Sequence, residues 1–264
     1  MSAEGDGERA AESLLKNPLK AKLKEGKPAY GIGLSIGHPD VAEIIGKLGY
    51  DWAFIDTEHS PMDAADVQVL LQAMSSSSTV PIVRVAWNDM VMIKKALDIG
   101  AYGIIVPWVN SREEALRAVQ AVKYPPQGLR GWGPRRAALG DPDYAKTAND
   151  EILVCVQIET QQAVDHIDEI LSVPGVDAVM IGPNDLSLSL GVFTQWESPK
   201  FRDAIAKIRD SCIRNGVAPG IVAVNDVEKR FEEGFRFFQV TQDTMLLSNC
   251  GAEVLRRCRA IPSG

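Results

Sequence analysis

The sequence predicts a single (β/α)8 barrel of the α/β class, and three observations carry that prediction. Short β-branched runs alternate with longer segments of helical period, eight such pairs fit within the ~250 residues a closed barrel needs, and no shift of composition marks a linker. The strands expected are Tyr30–Leu34, Trp52–Asp56, Pro81–Val85, Gly103–Val106, Leu153–Ile158, Ala178–Ile181, Ala218–Val222 and Phe237–Thr241. They are mostly apolar at consecutive positions, as strands covered on both faces must be. The helices expected after them are Val41–Leu48, Ala64–Met74, Met90–Ile99, Arg112–Val122, Gln162–Leu171, Pro199–Asn215, Val227–Glu233 and Thr244–Arg259, each read from its 3.6-residue period. Residues 1–12, "MSAEGDGERAAE", are polar and acidic, unlike a secretory start, and are expected to be disordered; residues 13–264 form one barrel domain with an extra N-terminal helix.

An open doubly wound sheet is the competing architecture. Its usual sign is a glycine loop that cradles phosphate, and "GIGLSIG" (Gly31 to Gly37) comes nearest. Its third glycine is one position late for GxGxxG, and Gly31 and Gly33 fall inside the first strand, where they read as inward-facing positions at a crowded site.

Composition excludes several function classes. With 28 basic and 35 acidic residues the net charge is −7, and no basic cluster exceeds a triplet, so a nucleic-acid partner is not expected. No apolar run approaches the ~20 residues of a membrane span. The four cysteines, Cys155, Cys212, Cys250 and Cys258, are far apart and form no CxxC pair, so they read as reduced thiols of a cytoplasmic protein.

In such a barrel the C-terminal strand ends form one rim, and chemistry gathers there. "FIDTEHSP" brings Asp56, Glu58 and His59 to it after the second strand; "PIVRV" carries Arg84; "LVCVQIET" delivers Gln157 and Glu159; "AVMIGPNDLS" supplies Gly182, Asn184 and Asp185. Glu159 and Asp185, on consecutive strands, are candidates to share a divalent cation, Mg²⁺ or Mn²⁺ rather than a closed zinc cage. The plain alternative makes Asp185 a helix N-cap and Glu159 a surface residue. Arg84 inside an apolar strand calls for a partner, either a substrate oxygen or a rim carboxylate. Histidine titrates near neutrality, so His59 is the candidate general base, with Asp56 three residues earlier to fix its tautomer. Glu58 faces either a metal's water shell or solvent. His166 reads as a solvated mid-helix position, and His38 either as a mouth residue or as a turn residue before Pro39 and Asp40.

These residues resemble the HpcH/HpaI aldolase/citrate lyase family of metal-dependent pyruvate aldolases. "FIDTEHSP", "PIVRVAWND", "IIVPWVNSREEA", "KYPPQGLRG", "VQIET" and "IGPNDLS" follow each other in family order from about Leu23 to Leu255. The resemblance implies cleavage of 4-hydroxy-2-oxo acids to pyruvate and an aldehyde. It implies that Glu159 and Asp185 bind Mg²⁺, Mn²⁺ or Co²⁺, which chelates pyruvate, and that Arg84 meets the keto oxygen. His59 would act as base through a metal-bound water, the amides of Asn184 and Asp185 beside Gly182 would hold the carboxylate, and Gln157 would line the pocket. Asp98 would reach a neighbouring subunit's site in a hexamer, a trimer of dimers that exchanges its last helix. Oxaloacetate decarboxylation, or enolate trapping as in macrophomate synthase, is the alternative activity it implies. "SIGHPD" and "GWGPRRA" (Trp132, Arg135, Arg136) depart from the family pattern and are expected to reshape the acceptor pocket. A Schiff-base aldolase would need a lysine on a strand, and the expected strands hold none. A metal-binding scaffold without catalysis would have no need of Arg84.

Overall fold

In the computed structural model, which describes residues 15–261, eight parallel strands close into one barrel in chain order. They are β1 (Ala29–Leu34), β2 (Trp52–Asp56), β3 (Val80–Arg84), β4 (Gly103–Val106), β5 (Leu153–Ile158), β6 (Ala178–Ile181), β7 (Ala218–Val222) and β8 (Phe237–Gln242). The helices are α1 (Pro18–Lys24), α2 (Pro39–Lys47), α3 (Ala64–Ala73), α4 (Met90–Asp98), α5 (Arg112–Val122), α6 (Tyr144–Glu151), α7 (Gln161–Asp165), α8 (Ile167–Leu171), α9 (Pro183–Ser189), α10 (Pro199–Asn215), α11 (Val227–Glu233) and α12 (Asp243–Arg259). The N-terminal stretch expected to be disordered, residues 1–12, lies outside the described residues.

Two apolar layers hold the barrel. The inner one is filled by Trp52, Phe54, Ile82, Ile105, Leu153, Cys155, Met180 and Phe237. Leu19 and Leu23 of α1 join it, so α1 closes the barrel floor. Polar ties fix α1 there: Lys20 Nζ pairs with Asp177 at 2.8 Å, and the Asn17 amide donates to the Tyr102 and Glu151 carbonyls, all just before strands begin. The outer layer packs strand residues such as Ile32, Ile55, Val83 and Val179 against Leu70, Ile93, Val119 and Ile208 of the helices. At Gly31 a Cβ would stand 2.1 Å from the Trp52 ring, so β1 passes the inner core only where a side chain is missing. Gly33 faces Phe54 in the same way, which bears out the crowded-strand reading.

Helix starts follow from local chemistry. Asp63 and Asp66 form a capping box on α3, Asp89 caps α4, Ser111 caps α5 and Thr160 caps α7. His38 caps α2, its Nδ1 accepting from the Asp40 amide at 3.2 Å, which settles it as a turn residue. The helix expected over 162–171 is broken at His166 (φ −99°, ψ 16°) into α7 and α8. Ala163, Val164, Ile167, Ile170 and Leu171 stay buried on both sides, so the apolar period runs through the break and conceals it. α6 and the short α9 were not expected.

Candidate active site

A cavity of about 640 Å³ opens at the C-terminal strand ends, a size suited to a small organic substrate. Asp56, His59, Arg84, Gln157, Gly182, Asn184 and Asp185 all line it. Glu159 does not form its wall; it lies just behind Gln157 and Gly182, 2% exposed. The topology therefore gathers residues from β2, β3, β5, β6 and α9.

Asp56 and Arg84 are paired across the strands as direct register neighbours of β2 and β3. Arg84 Nε donates to Asp56 Oδ1 at 3.0 Å and Nη2 to Oδ2 at 2.6 Å, a two-pronged bond that leaves Nη1 out. Phe54 supports the guanidinium from below, its ring centre 5.2 Å from Cζ. Burial pulls the guanidinium down, but the hydrogen bond and charge of Asp56 outweigh it and hold Arg84 above its ordinary value. The strand arginine thus finds its partner in a rim carboxylate.

Among the described residues Asp56 makes no hydrogen bond to the His59 ring. Its Oδ1 accepts the backbone amides of Glu58 (3.1 Å) and His59 (3.3 Å) and so fixes the turn that carries the imidazole. The reason is geometric: Asp56 ends a strand and its side chain faces β3, while the chain after it turns outward. The carboxylate beside the ring is that of Glu58, with Oε2 3.6 Å from His59 Nε2 and 3.3 Å from Arg84 Nε. Burial pushes the Glu58 carboxyl up to about 7, against the pull of Arg84, with Glu159, His59 and Asp56 as smaller influences. The Glu58 side chain is thus largely shielded from solvent, 9% exposed.

Glu159 is held at both oxygens. The Trp108 amide donates to Oε1 at 2.9 Å, and the Gln157 amide donates to Oε2. Trp108 takes a left-handed backbone, φ 55°, to aim that N–H, a strained conformation for a bulky residue. Burial raises the Glu159 carboxyl; the two hydrogen bonds oppose the rise and the charge of Asp185 adds to it. Among the described residues, neither Glu159 nor Asp185 has a cationic side chain within ion-pair distance, since Arg84 is taken by Asp56. A Cβ at Gly182 would come within 2.9 Å of Glu159 Oε2, so glycine keeps that oxygen accessible from the cavity side. Two acidic oxygens without a cation of their own, with lone pairs remaining, are the donor set a hard divalent ion takes. Among the described residues no group of three acidic, histidine or cysteine side chains gathers as a metal cage. Asp185 is not an N-cap; Gly182 is, and Asp185 sits in the first turn of α9.

Other expected residues lie elsewhere. Asp98 ends α4, at the opposite end from the rim, and pairs with the buried Arg130 at 2.8 Å. Trp132 packs tilted on Tyr124 and edge-on to Tyr144, and Arg136 Nη1 donates to the Ile99 carbonyl. "GWGPRRA" therefore does not reach the mouth of its own barrel, contrary to expectation, because it packs on the α4 end. His38 is also absent from the mouth. Trp108 had no sequence signal beyond its place after a strand.

Fold and site together define a (β/α)8 barrel with an anchored arginine and, among the described residues, two carboxylates without ion-pair partners at its mouth. The chain belongs to the HpcH/HpaI aldolase/citrate lyase family, whose model matches residues 31–250. It is 39% identical over 249 residues to the 4-hydroxy-2-oxo-heptane-1,7-dioate aldolase of Escherichia coli, covering 92% of this chain and 95% of that one. Among solved structures, an HpcH/HpaI aldolase/citrate lyase family protein from Burkholderia cenocepacia superposes with TM-score 0.88 at 35% identity, covering 93% and 100% of the two chains. Macrophomate synthase superposes with TM-score 0.84 at 29% identity, covering 94% and 91%.

Proposed function

We propose that the chain is a metal-dependent aldolase that reversibly cleaves 4-hydroxy-2-oxo acids to pyruvate and an aldehyde. The observation that carries the reading is the anchored Arg84 in a mouth whose carboxylates, Glu159 and Asp185, have no ion-pair partner among the described residues. Similarity to the heptanedioate aldolase supports the substrate class.

Glu159 and Asp185 would hold a divalent cation, Mg²⁺, Mn²⁺ or Co²⁺, which when bound polarises the keto group and offsets enolate charge. Arg84 directs its free Nη1 at the keto oxygen, where charge develops as the C3–C4 bond breaks. His59 takes the proton of the C4 hydroxyl, so the C3–C4 electron pair can move toward the keto carbon while C4 leaves as the aldehyde. The first-turn amides of α9 at Asn184 and Asp185 have no intrahelical acceptor and receive the substrate carboxylate, Pro183 having no N–H. Gln157 keeps Glu159 in place. Removing metal with EDTA and restoring Mg²⁺, Mn²⁺ or Co²⁺ tests the reading: pyruvate release must vanish and return. A chain that releases no pyruvate from any 4-hydroxy-2-oxo acid with all three ions refutes it.

The likeness to macrophomate synthase supports a second reading, oxaloacetate decarboxylation or enolate trapping at the same Arg84, Glu159 and Asp185. His59→Ala separates the two, since decarboxylation needs no hydroxyl proton removed. The assembly we propose is a homohexamer, a trimer of dimers. Leu247 (69% exposed), Val254 and Leu255 on α12 support it, as apolar groups left uncovered in one chain. Asp98 would serve a neighbouring subunit's mouth there. Light scattering of the purified protein tests the assembly. No helix among the described residues is long and apolar enough to cross a membrane; a cytoplasmic location is part of the same proposal.

A further inference from the structure

We propose that the 4-hydroxy-2-oxo acid this chain cleaves carries an apolar tail beyond C4, so that the aldehyde it releases is an alkyl or aryl aldehyde and not an acid semialdehyde. The proposal rests on the aldol reading and deepens it, since that reading leaves the aldehyde open.

The cavity, about 640 Å³, has room for more than pyruvate, and the groups that would receive pyruvate line only its β2-to-α9 side. The other wall comes from the segment between α9 and α10, the start of α10, β7 with its following loop, and the start of α12. Trp196, Phe201, Val222, Val224 and Met245 form its apolar part. Trp196 meets the buried Phe201 edge-on, ring centres 5.4 Å apart, which fixes the indole on one side while 37% of the residue stays open. Val224 and Met245, on the same wall, are 38% and 36% exposed. Apolar surface left open toward a cavity is covered at a gain by an apolar ligand group.

The charges on this wall are matched within the chain. Besides Arg84, the lysine and arginine side chains that line the cavity are Lys229 and Arg230. Arg230 is buried and held between Asp226 at 2.7 Å and Glu233 at 2.9 Å, a turn before and a turn after it. Lys229 faces Glu197 at 3.3 Å. Arg84 gives Nε and Nη2 to Asp56, and its remaining Nη1 is the donor for the keto oxygen. A second carboxylate on the substrate would therefore reach no unmatched cation. Displacing Glu197 from Lys229 would exchange one solvent-exposed ion pair for another, with little gain. Lying on the apolar wall without a counter-charge would cost free energy. An alkyl or aryl tail meets neither penalty.

Aldol addition of pyruvate to an aldehyde forms the C3–C4 bond with no other reactant, and its rate reads the tail directly. With Mn²⁺ and saturating pyruvate, kcat/KM for butanal is expected to exceed that for succinic semialdehyde, of equal carbon count but anionic, at least tenfold. Trp196→Ala is expected to lower kcat/KM for 3-phenylpropanal at least tenfold and to leave acetaldehyde, too short to reach the indole, within twofold. Lys229→Met is expected to move neither butanal nor succinic semialdehyde by more than twofold. A parent that takes succinic semialdehyde as well as butanal overturns the proposal. So does a loss confined to succinic semialdehyde in Lys229→Met, which would make Lys229 the receiver of a substrate carboxylate.

A second measurement needs neither metal nor turnover. Saturation-transfer NMR with 3-phenylpropanamide and succinamate, unreactive amides that copy the two tails, is expected to show the first bound to the parent and the second not. The 3-phenylpropanamide signal is expected to fall at least threefold in Trp196→Ala, with the circular dichroism spectrum unchanged. Bound succinamate, or a 3-phenylpropanamide signal that Trp196→Ala leaves unchanged, overturns the proposal. A parent that adds pyruvate to no aldehyde refutes the aldol reading alone, because the amides still decide which tail the wall takes.

Discussion

Glu58 makes the metal-free protein less stable as pH rises through neutrality, and replacing it with glutamine removes that loss. Its carboxyl is raised from 4.5 to about 7, chiefly by burial. A raised acid contributes stability that is fully present below its unfolded value and is lost as pH climbs to the folded one. Between those values the folded chain binds the extra proton, so the slope of unfolding free energy with pH is negative. Each unit is worth about 1.4 kcal/mol, which over this interval gives at most about 3 kcal/mol lost between pH 4.5 and 7 and nothing further above it. The side chain is only 9% exposed, so solvent screens little of this. Urea unfolding with EDTA, followed by tryptophan fluorescence at half-unit steps from pH 4.5 to 8, measures it. Glu159 is raised as well and slopes the same way in both proteins, so the difference between parent and Glu58→Gln isolates Glu58. Identical slopes in the two would refute the claim that Glu58 is buried without a donor.

Arg84→Lys keeps a positive charge but cannot make the two-pronged bond to Asp56; kcat for pyruvate release is expected to fall about 10²- to 10³-fold with the circular dichroism spectrum unchanged. Gln157→Met removes the donor to Glu159 at nearly equal volume, and Mn²⁺ affinity by calorimetry is expected to weaken about 10- to 100-fold. Gly31→Ala drives a Cβ to 2.1 Å from the Trp52 ring and is expected to cost about 1–3 kcal/mol, seen as a lower melting temperature with the site chemistry intact.

The barrel was legible because a parallel strand buried on both faces is a continuous apolar run, as in "WAFID" and "AVMI", and no other short run looks like that. Residues that end such runs could then be assigned to one rim, which placed Asp56, Arg84, Gln157 and Asp185 without coordinates. Contacts were not legible in the same way. Asp56 and His59 are three apart, which would put them on one face of a helix, yet Asp56 belongs to a strand and its neighbour is Arg84, 28 positions away. That pairing depends on the β2–β3 register, which a local pattern does not encode. The break at His166 was hidden because burial keeps its period across it, and α9 because a seven-residue helix carries too few positions to show a period. The left-handed turn at Trp108 left no trace, since glycine or asparagine is the residue that would have signalled it.

The charges around the mouth bear on the valence of the ion it would hold. Asp56 and Arg84 neutralise each other at 2.6 Å and 3.0 Å, and neither is available to a third group as a full charge. Glu58, raised to about 7, carries only part of a negative charge at that pH. That leaves Glu159 and Asp185, close enough that the charge of one raises the other. Buried Glu159 and exposed Asp185 against a monovalent cation would keep one of their two negative charges unbalanced. The incoming 2-oxo acid adds a further carboxylate, and the enolate adds another negative charge during reaction. On the proposed reading a divalent ion would balance the protein's pair, the α9 amides and Arg84 Nη1 would meet what the substrate brings, and a singly charged ion would leave that substrate repelled. Sodium or potassium at concentrations that saturate most weak sites should therefore fail to replace Mn²⁺ in supporting pyruvate release, even where they screen the mouth.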